Sequence, residues 1–160
     1  MKNEGSLLKI TVFSDSHRYK QAMFDAVNLE SPDVILHLGD NDRDCSALAL
    51  EFPQIPIRSV KGNCDSFSTG KDVDQFMLGG KLFFITHGHL HGVKSGLASI
   101  TKAAIEQEAD ILLFGHTHIP HKSVLENLII INPGSIGILE KTYAVLETRN
   151  GVISCEIKSI

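Results

Sequence analysis

Five short apolar runs in this 160-residue chain each lead into Asp, Asn or His, and this repeated pattern restricts the folds open to it. Apolar runs of this length bounded by Gly indicate buried strands. The runs, with the polar residues that follow them, are residues 9–13 with Asp15 and His17, residues 34–38 with Asp40, residues 57–60 with Asn63, residues 82–85 with His87 and His89, and residues 111–114 with His116 and His118. Because ligands bind beyond the carboxyl ends of strands in open α/β sheets, we expect these side chains to converge.

The rest of the sequence predicts an α/β architecture, in a single domain that covers residues 1–160. Segments with helical periodicity are residues 21–30, 45–52 and 95–108. Hairpins are predicted at residues 75–85 around Gly79-Gly80, at residues 122–131 and at residues 143–157. Strands alternate with helices in the first half, whereas hairpins dominate the second. This mixture favours two packed sheets with helices outside them over a simple doubly wound sheet.

Charge and composition argue against several classes of function. The formal net charge is -4 and no run of Lys or Arg occurs, so we expect no dedicated nucleic-acid surface. No apolar stretch approaches the roughly 18 residues of a spanning helix, and no signal peptide is evident, so we expect a cytoplasmic protein without membrane association. Cys45, Cys64 and Cys155 form no Cys-x-x-Cys pair, which favours reduced thiols and disfavours a cysteine-ligated zinc.

Seven of the polar residues at the strand ends carry donors that bind metals. They are Asp15, His17, Asp40, Asn63, His87, His116 and His118. Residues i and i+2 of an extended segment point to the same side, so pairs such as Asp15 and His17 should aim at one point if the backbone stays extended. Mixed imidazole and carboxylate donors suit manganese, iron, zinc, nickel or cobalt better than calcium. Seven donors exceed the needs of one catalytic zinc, which predicts two divalent ions with Asp40 as their shared ligand.

Two divalent ions would give this site the chemistry of phosphate hydrolysis. The negative charges of Asp15, Asp40 and a bridging hydroxide would offset most of the positive charge of two divalent ions. A residual charge of roughly +1 would remain and would attract a phosphate anion. Metal coordination lowers the pKa of water from 15.7 to about 7, a shift worth about 12 kcal/mol. No single side-chain base supplies as much, so we expect attack by a hydroxide that bridges the two metals.

The order of these motifs resembles the calcineurin-like metallophosphoesterases. The motifs are Asp-x-His, Gly-Asp, Gly-Asn, a His after a strand, and Gly-His-Thr-His, and they span roughly residues 10–135. Gly-Asn-Cys-Asp at residues 62–65, Thr-His-Gly-His at residues 86–89 and Asn-Pro-Gly-Ser at residues 132–135 are similar to the small prokaryotic phosphodiesterase branch, which is itself similar to the small subunit of the retromer coat. The resemblance implies an α/β fold, a four-layer α/β/β/α sandwich of two mixed sheets with outer helices.

The resemblance also implies a division of the seven donors between two metals. One metal would be held by Asp15, His17 and His118, the other by Asn63, His87 and His116, and Asp40 would bridge them. The expected ion is Mn²⁺, with Ni²⁺, Fe²⁺, Zn²⁺ and Co²⁺ as alternatives.

Catalytic roles are expected for Asp40, Asn63 and His89, although the group that protonates the leaving group stays open. Many relatives carry a His directly after the motif Asn, but this chain has Cys64 there. A neutral thiol is a poor proton donor to an alkoxide-like oxygen. We therefore expect either substrates with good leaving groups, or His89 or water as the acid.

Other polar residues near the motifs have structural explanations. His37 and His121 are expected to be structural histidines, and Asp42 and Asp44 to be capping or solvated residues. Asp65 is expected to orient Asn63 or to cap a turn. Residues 132–135 carry a strong turn signal, and their amides are expected to support the site.

The motifs favour a metal-dependent phosphodiesterase that acts on a small phosphate ester. A phosphomonoesterase or a nuclease on the same site is the first alternative, although the chain has no Trp and only two Tyr from which to build a base-stacking platform. A non-catalytic scaffold is the second alternative, and the presence of all seven donors disfavours it. Assembly of identical chains into an oligomer is left open.

Overall fold

The computed structural model describes residues 6–41 and 43–160, so the prediction for Asp42 lies outside the described residues. In chain order the helices and strands are β1 (Leu8–Phe13), α1 (Lys20–Glu30), β2 (Val34–His37), α2 (Arg43–Glu51), β3 (Ile57–Ser59), β4 (Val73–Leu78), β5 (Lys81–Thr86), α3 (Ala98–Glu106), β6 (Ile111–Leu113), β7 (His121–Leu125), β8 (Leu128–Asn132), β9 (Thr142–Arg149) and β10 (Val152–Ser159). Single turns of 3-10 helix, His89–His91 and Val93–Ser95, lie between β5 and α3.

The strands form two mixed five-stranded sheets. The first sheet has the order β10-β9-β1-β2-β3, in which β1, β2 and β3 are parallel and β9 and β10 extend it as an antiparallel hairpin. The second sheet has the order β4-β5-β6-β8-β7, with β5, β6 and β8 parallel and antiparallel strands at both edges. The carboxyl ends of the parallel strands therefore carry the loops in which all of the predicted site residues lie.

Alternating side chains of the parallel strands separate the core into layers. Ile10 and Val12 of β1 pack with Phe83 and Ile85 of β5 between the two sheets. The opposite face of the first sheet packs against α1 and α2, and the opposite face of the second sheet packs against α3. Strands that are buried on both faces need apolar residues at every position, which explains the continuous apolar runs. The predicted four-layer α/β/β/α sandwich is confirmed.

Most predicted elements are present, with differences at their ends. The hairpin of β4 and β5 turns at Gly79 and Gly80, whose φ angles of 58° and 77° suit a primed two-residue turn. The helix predicted over residues 95–108 is shorter, because Gly96 adopts a φ of 139° that no helix allows and α3 begins only at Ala98. No helix in the described part of the chain is both long and apolar enough to span a membrane.

Candidate metal centre

The loops after five strands bring the predicted metal ligands together in two groups. The first cluster contains Asp15, His17, Asp40 and His118, and the second cluster contains Asp40, His87 and His116. Within each cluster, one potential ligand atom from every residue lies within 4.8 Å of the others. Asn63, after β3, joins the second cluster through its Oδ1 atom, which lies 3.1 Å from Nε2 of His87. All seven donors predicted from the sequence therefore converge, and Asp40 belongs to both clusters.

In the first cluster, a buried carboxylate oxygen is surrounded by imidazole nitrogens. Asp15 Oδ1 is buried and makes no hydrogen bond with any residue that the structure describes. The Nε2 atoms of His118, His87 and His17 lie 3.0, 3.8 and 3.9 Å from it. The Nε2 atoms of His17 and His118 are only 3.4 Å apart. Buried acceptors are rarely left unsatisfied, and a cation between these atoms would satisfy this one.

In the second cluster, the tautomer of His87 leaves a lone pair for a metal. Nδ1 of His87 lies 2.7 Å from the carbonyl oxygen of Leu38, and because a carbonyl can only accept, Nδ1 is the donor. In neutral His87, Nε2 is then an unprotonated nitrogen directed at the cluster, 3.4 Å from Oδ1 of Asp40. A ring nitrogen bonded to a backbone carbonyl is the usual partner arrangement of a metal-bound histidine.

The charges around the two clusters attract cations. Burial alone would lower the pKa of His87, but protonated His87 would donate to the Asp40 carboxylate, and this contact and the charge of Asp15 outweigh burial and raise that pKa. Burial would likewise raise the pKa of Asp40, yet the contacts with His87 and with the N–H of Cys64 lower it. Burial and the charge of His87 lower the pKa of His116, which favours the neutral imidazole that metals require. The donor set and its field therefore fit bound metal cations.

Asp65 joins the two loops that carry Asp40 and Asn63. Its Oδ2 atom accepts hydrogen bonds from the N–H groups of Asp40 at 3.0 Å and Gly62 at 2.8 Å. Its Oδ1 atom accepts from the N–H of Asn41 at 2.8 Å. Of the two expected roles, orienting Asn63 and capping a turn, neither includes the bonds to Asp40 and Asn41, through which this buried carboxylate positions both loops. No spacing signal in the sequence distinguishes such a role from a simple turn.

Two serines beside Asp15 hold its loop, and the sequence pattern did not point to either. Ser14 Oγ donates to Asp15 Oδ2 at 2.5 Å, and the same carboxylate oxygen accepts from the N–H of His116 at 3.1 Å. Ser16 Oγ donates to Asp44 Oδ2 at 2.7 Å and lies 3.1 Å from Nε2 of His37. The two bonds to Oδ2 hold the Asp15 carboxylate with Oδ1 directed toward the imidazoles.

Of three polar residues expected to have structural roles, two histidines fill the predicted role and Asp44 does not. His37 is fully buried, and its Nδ1 accepts from the N–H of Gly39 at 3.2 Å, which confirms a structural histidine. The ring of His121 lies 2.8 Å from Ser123 Oγ, away from both clusters, which also confirms a structural role. The prediction for Asp44 is wrong: it is buried within the first turn of α2, because its carboxylate accepts from Ser16 and from the N–H of Arg18.

The turn at residues 132–135 supports the ligand loops with its side chains. Nδ2 of Asn132 donates to the carbonyl of Gly115 and to Oγ1 of Thr117, both at 3.0 Å. Ser135 Oγ donates to the carbonyl of Asp15 at 2.8 Å. The prediction of a supporting turn is confirmed, but among the described residues the bonds to the ligand loops come from the side chains of Asn132 and Ser135 and not from the backbone amides of the turn.

The ligand pairs do not meet the condition of an extended backbone. The predicted ligands with left-handed φ angles are Asp15 at 54°, His17 at 45°, Asp40 at 59°, His116 at 67° and His118 at 60°. The chain turns sharply at each strand end, so the i, i+2 rule for strands does not apply there. His116 and His118 consequently belong to different clusters. Left-handed non-glycine residues cost of order 1–3 kcal/mol and concentrate at functional sites.

The structure places His89 and Cys64 beside the clusters rather than in them. The His89 ring centroid lies 5.4 Å from that of His87 and 6.1 Å from that of His116. Its Nδ1 atom is buried without a hydrogen bond to a described residue, and burial followed by the charge of His87 lowers its pKa. Burial and the neighbouring Asp40 raise the pKa of Cys64 to about 11, so this side chain remains a thiol.

Gly115 allows the closest approach between the two ligand loops after β1 and β6. A Cβ atom there would overlap Ser14 Oγ and would lie 2.9 Å from Asp15 Oδ2. We expect Gly115→Ala to lower the free energy of unfolding by about 1–3 kcal/mol, measured by urea denaturation. Gly70→Ala, in an exposed loop with more room, serves as the control. Equal stability of the two variants would contradict this close packing.

Comparison with known proteins agrees with this geometry. A sequence model of the calcineurin-like phosphoesterase superfamily domain matches residues 8–151. This chain belongs to that superfamily. The family resemblance inferred from the motifs is therefore confirmed, and the protein is by family a metal-binding hydrolase of phosphoesters.

Relatives and solved structures support the same assignment. The chain is 34% identical over 149 residues to the probable metallophosphoesterase YsnB of Bacillus subtilis, covering 89% of this chain and 86% of that one. It is 34% identical over 90 residues to the phosphodiesterase YfcE of Escherichia coli K12, covering 51% of this chain and 45% of YfcE. Its fold is similar to that of a predicted phosphoesterase from Streptococcus pneumoniae, with a TM-score of 0.80 at 28% identity over 96% of this chain and 90% of that one.

A second solved structure shares the fold at a much lower sequence identity. Vacuolar Protein Sorting 29 from Cryptosporidium parvum has a TM-score of 0.74 at 14% identity, and the match covers 99% of each chain. At this identity the similarity concerns the fold alone.

Proposed function

We propose that this protein is a cytoplasmic phosphodiesterase that hydrolyses small phosphate esters with two divalent ions, of which Mn²⁺ is the preferred one. The observation that carries the proposal is the position of Asp40 in both clusters, since one carboxylate common to two donor sets is suited to bridging two ions. The name of the relative YfcE supports a diester substrate. The odd number of cysteines without a Cys-x-x-Cys pair supports the cytoplasm as location.

In this proposal the seven donors are divided as their positions suggest. One ion would be held by Asp15, His17 and His118, the second by Asn63, His87 and His116, and Asp40 would serve both. When bound, two divalent ions polarise phosphate oxygens and lower the pKa of water from 15.7 to about 7. Asn63 is exposed while Asp40 is buried, so a substrate can approach the clusters from the side of Asn63.

His89 is the residue that we assign to the leaving-group oxygen. His89 belongs to neither cluster, and its ring lies close to the rings of His87 and His116. A ring N–H can donate a hydrogen bond to that oxygen as negative charge develops on it. Cys64, as a neutral thiol, contributes little proton transfer, which favours esters with good leaving groups.

Hydrolysis of bis(p-nitrophenyl) phosphate tests the proposal. With Mn²⁺ the protein should hydrolyse this diester faster than p-nitrophenyl phosphate, and His116→Ala should lower kcat/KM about 10²-fold, because a histidine of the second cluster is lost. His91→Ala removes a histidine that belongs to neither cluster and should retain activity. Activity that survives excess chelator or His116→Ala would refute the proposal, and faster monoester hydrolysis would point to a phosphomonoesterase.

A further inference from the structure

A cavity of about 540 Å³ lies next to the candidate metal centre, and Arg18 and Arg43 help to line it. It adjoins the clusters through Cys64, another lining residue, whose N–H donates to Asp40 Oδ1 at 2.9 Å. A substrate bound at the clusters can therefore extend into this cavity.

Within residues 6–41 and 43–160, the two guanidinium groups at this cavity have no anionic partner. Neither Arg18 nor Arg43 forms an ion pair or a side-chain hydrogen bond with any residue in the ranges 6–41 and 43–160. Arg58, by contrast, pairs with Asp74 at 2.7 Å. The carboxylate that also lines the cavity, Asp65, accepts hydrogen bonds from three backbone N–H groups. Two like charges that share a cavity repel each other, and an anionic group between them relieves that repulsion.

The backbone fixes Arg18 beside the cavity. Its φ angle is 73°, in the left-handed region that non-glycine residues rarely adopt. Its N–H donates to Asp44 Oδ2 at 3.0 Å, which holds this conformation. The arginine that directly follows the predicted ligand His17 is thus anchored by its backbone while its side chain is exposed to solvent.

An exposed aromatic ring completes the cavity. Phe67 lines it and is 95% exposed, so hardly any of its surface is used in packing. Aromatic side chains in this situation stack on the flat rings of ligands, nucleobases among them.

We propose that this cavity binds a second phosphate group of the substrate between Arg18 and Arg43, with a flat ring stacked on Phe67. The substrate class is then a small nucleotide ester that carries a phosphate beyond the one that is cleaved. Guanidinium groups suit this role because their planar donors bind phosphate oxygens in pairs. This assignment rests on the proposed function, which supplies the cleavage of the first phosphate.

Calorimetric titration of the Mn²⁺-loaded protein with two nucleotides tests the assignment. Adenosine 3′,5′-bisphosphate should bind at least about 10-fold more tightly than adenosine 5′-monophosphate, because only the former offers a second phosphate. Arg18→Gln and Arg43→Gln should each remove most of this preference. Arg149→Gln removes an equal charge at the exposed end of β9, and this variant should keep the preference for the bisphosphate. Equal affinity of the wild-type protein for both nucleotides, or a preference that survives both substitutions, would overturn the assignment.

Separate readouts distinguish the failure of this assignment from the failure of the proposed function. Phe67→Leu should weaken both nucleotides about 5-fold, and unchanged affinity would reject the stacking role. If diester hydrolysis is absent while the arginine-dependent preference remains, the proposed activity is wrong and the phosphate site stands. If hydrolysis is present while both nucleotides bind equally, the second phosphate site is wrong and the activity stands.

Discussion

Asp40→Asn is expected to lower kcat/KM for a diester by about 10³-fold or more, the largest loss of activity among the substitutions considered. Asp40 is the residue that both clusters share, so its charge acts on both predicted ions. Loss of metal stabilisation worth about 4 kcal/mol corresponds to three orders of magnitude in rate. Asn has nearly the same shape and can still accept from the N–H of Cys64.

The measurement combines steady-state kinetics with the metal content of the purified variant. We expect the metal content to fall from two ions per chain to one or fewer while the circular dichroism spectrum is unchanged. Asp25→Asn is the matched control, because Asp25 is an exposed residue of α1 whose carboxylate accepts a hydrogen bond from Gln21 Nε2. A variant of Asp40 with two bound ions and normal activity would show that this carboxylate does not bridge.

Asp65→Asn is expected to produce the largest loss of stability, about 2–4 kcal/mol in the free energy of unfolding. The carboxylate accepts three backbone N–H bonds at 2.8–3.0 Å, and an amide nitrogen in place of one oxygen cannot accept. At least one buried N–H then loses its partner, and hydrogen bonds to charged groups are worth about 1.5–3 kcal/mol each.

Urea denaturation measures this loss, with Asp25→Asn again as the control. Activity should fall about 10–100-fold as well, because the loops that carry Asp40 and Asn63 are positioned by the same side chain. If Asp65→Asn matches the control in stability, the three amides do not depend on the carboxylate, and its positioning role is refuted.

The strands and the candidate ligands were predictable because burial on both faces leaves a strong signal. The parallel strands read as apolar runs such as residues 111–114, and each run ends where the chain emerges at the edge of the sheet. Asp, Asn and His at those ends stand out against the apolar background. The convergence of the seven donors followed from the rule that the carboxyl ends of parallel strands lie together.

The local geometry was not predictable, because it depends on contacts between distant parts of the chain. Asp15 and His116 adopt left-handed conformations next to the close contact between Ser14 and Gly115. The hydrogen bond between Asp15 and His116 joins residues that are 101 positions apart in the sequence. Propensity favours neither conformation for these residues. The family resemblance implied that His116 and His118 serve different clusters, whereas the turns that separate them were not predictable.

The residues that position the ligand loops could not be recognised from the sequence for a related reason. A buried Asp that binds backbone amides, such as Asp65, has the same sequence signature as a turn residue. The cavity lined by Arg18 and Arg43 likewise combines residues from the loop after β1 and the start of α2. That neither arginine has an ionic partner among the residues the structure describes becomes visible only when the positions of the neighbouring carboxylates are known.

The most direct test of the two-ion centre is a crystal structure of the protein grown with Mn²⁺, with anomalous scattering recorded to locate the ions. We predict two separate anomalous peaks, one beside His17 and His118 and one beside His87 and His116, with Asp40 in contact with both. A single peak, or peaks away from Asp40, would contradict a centre built on one shared carboxylate.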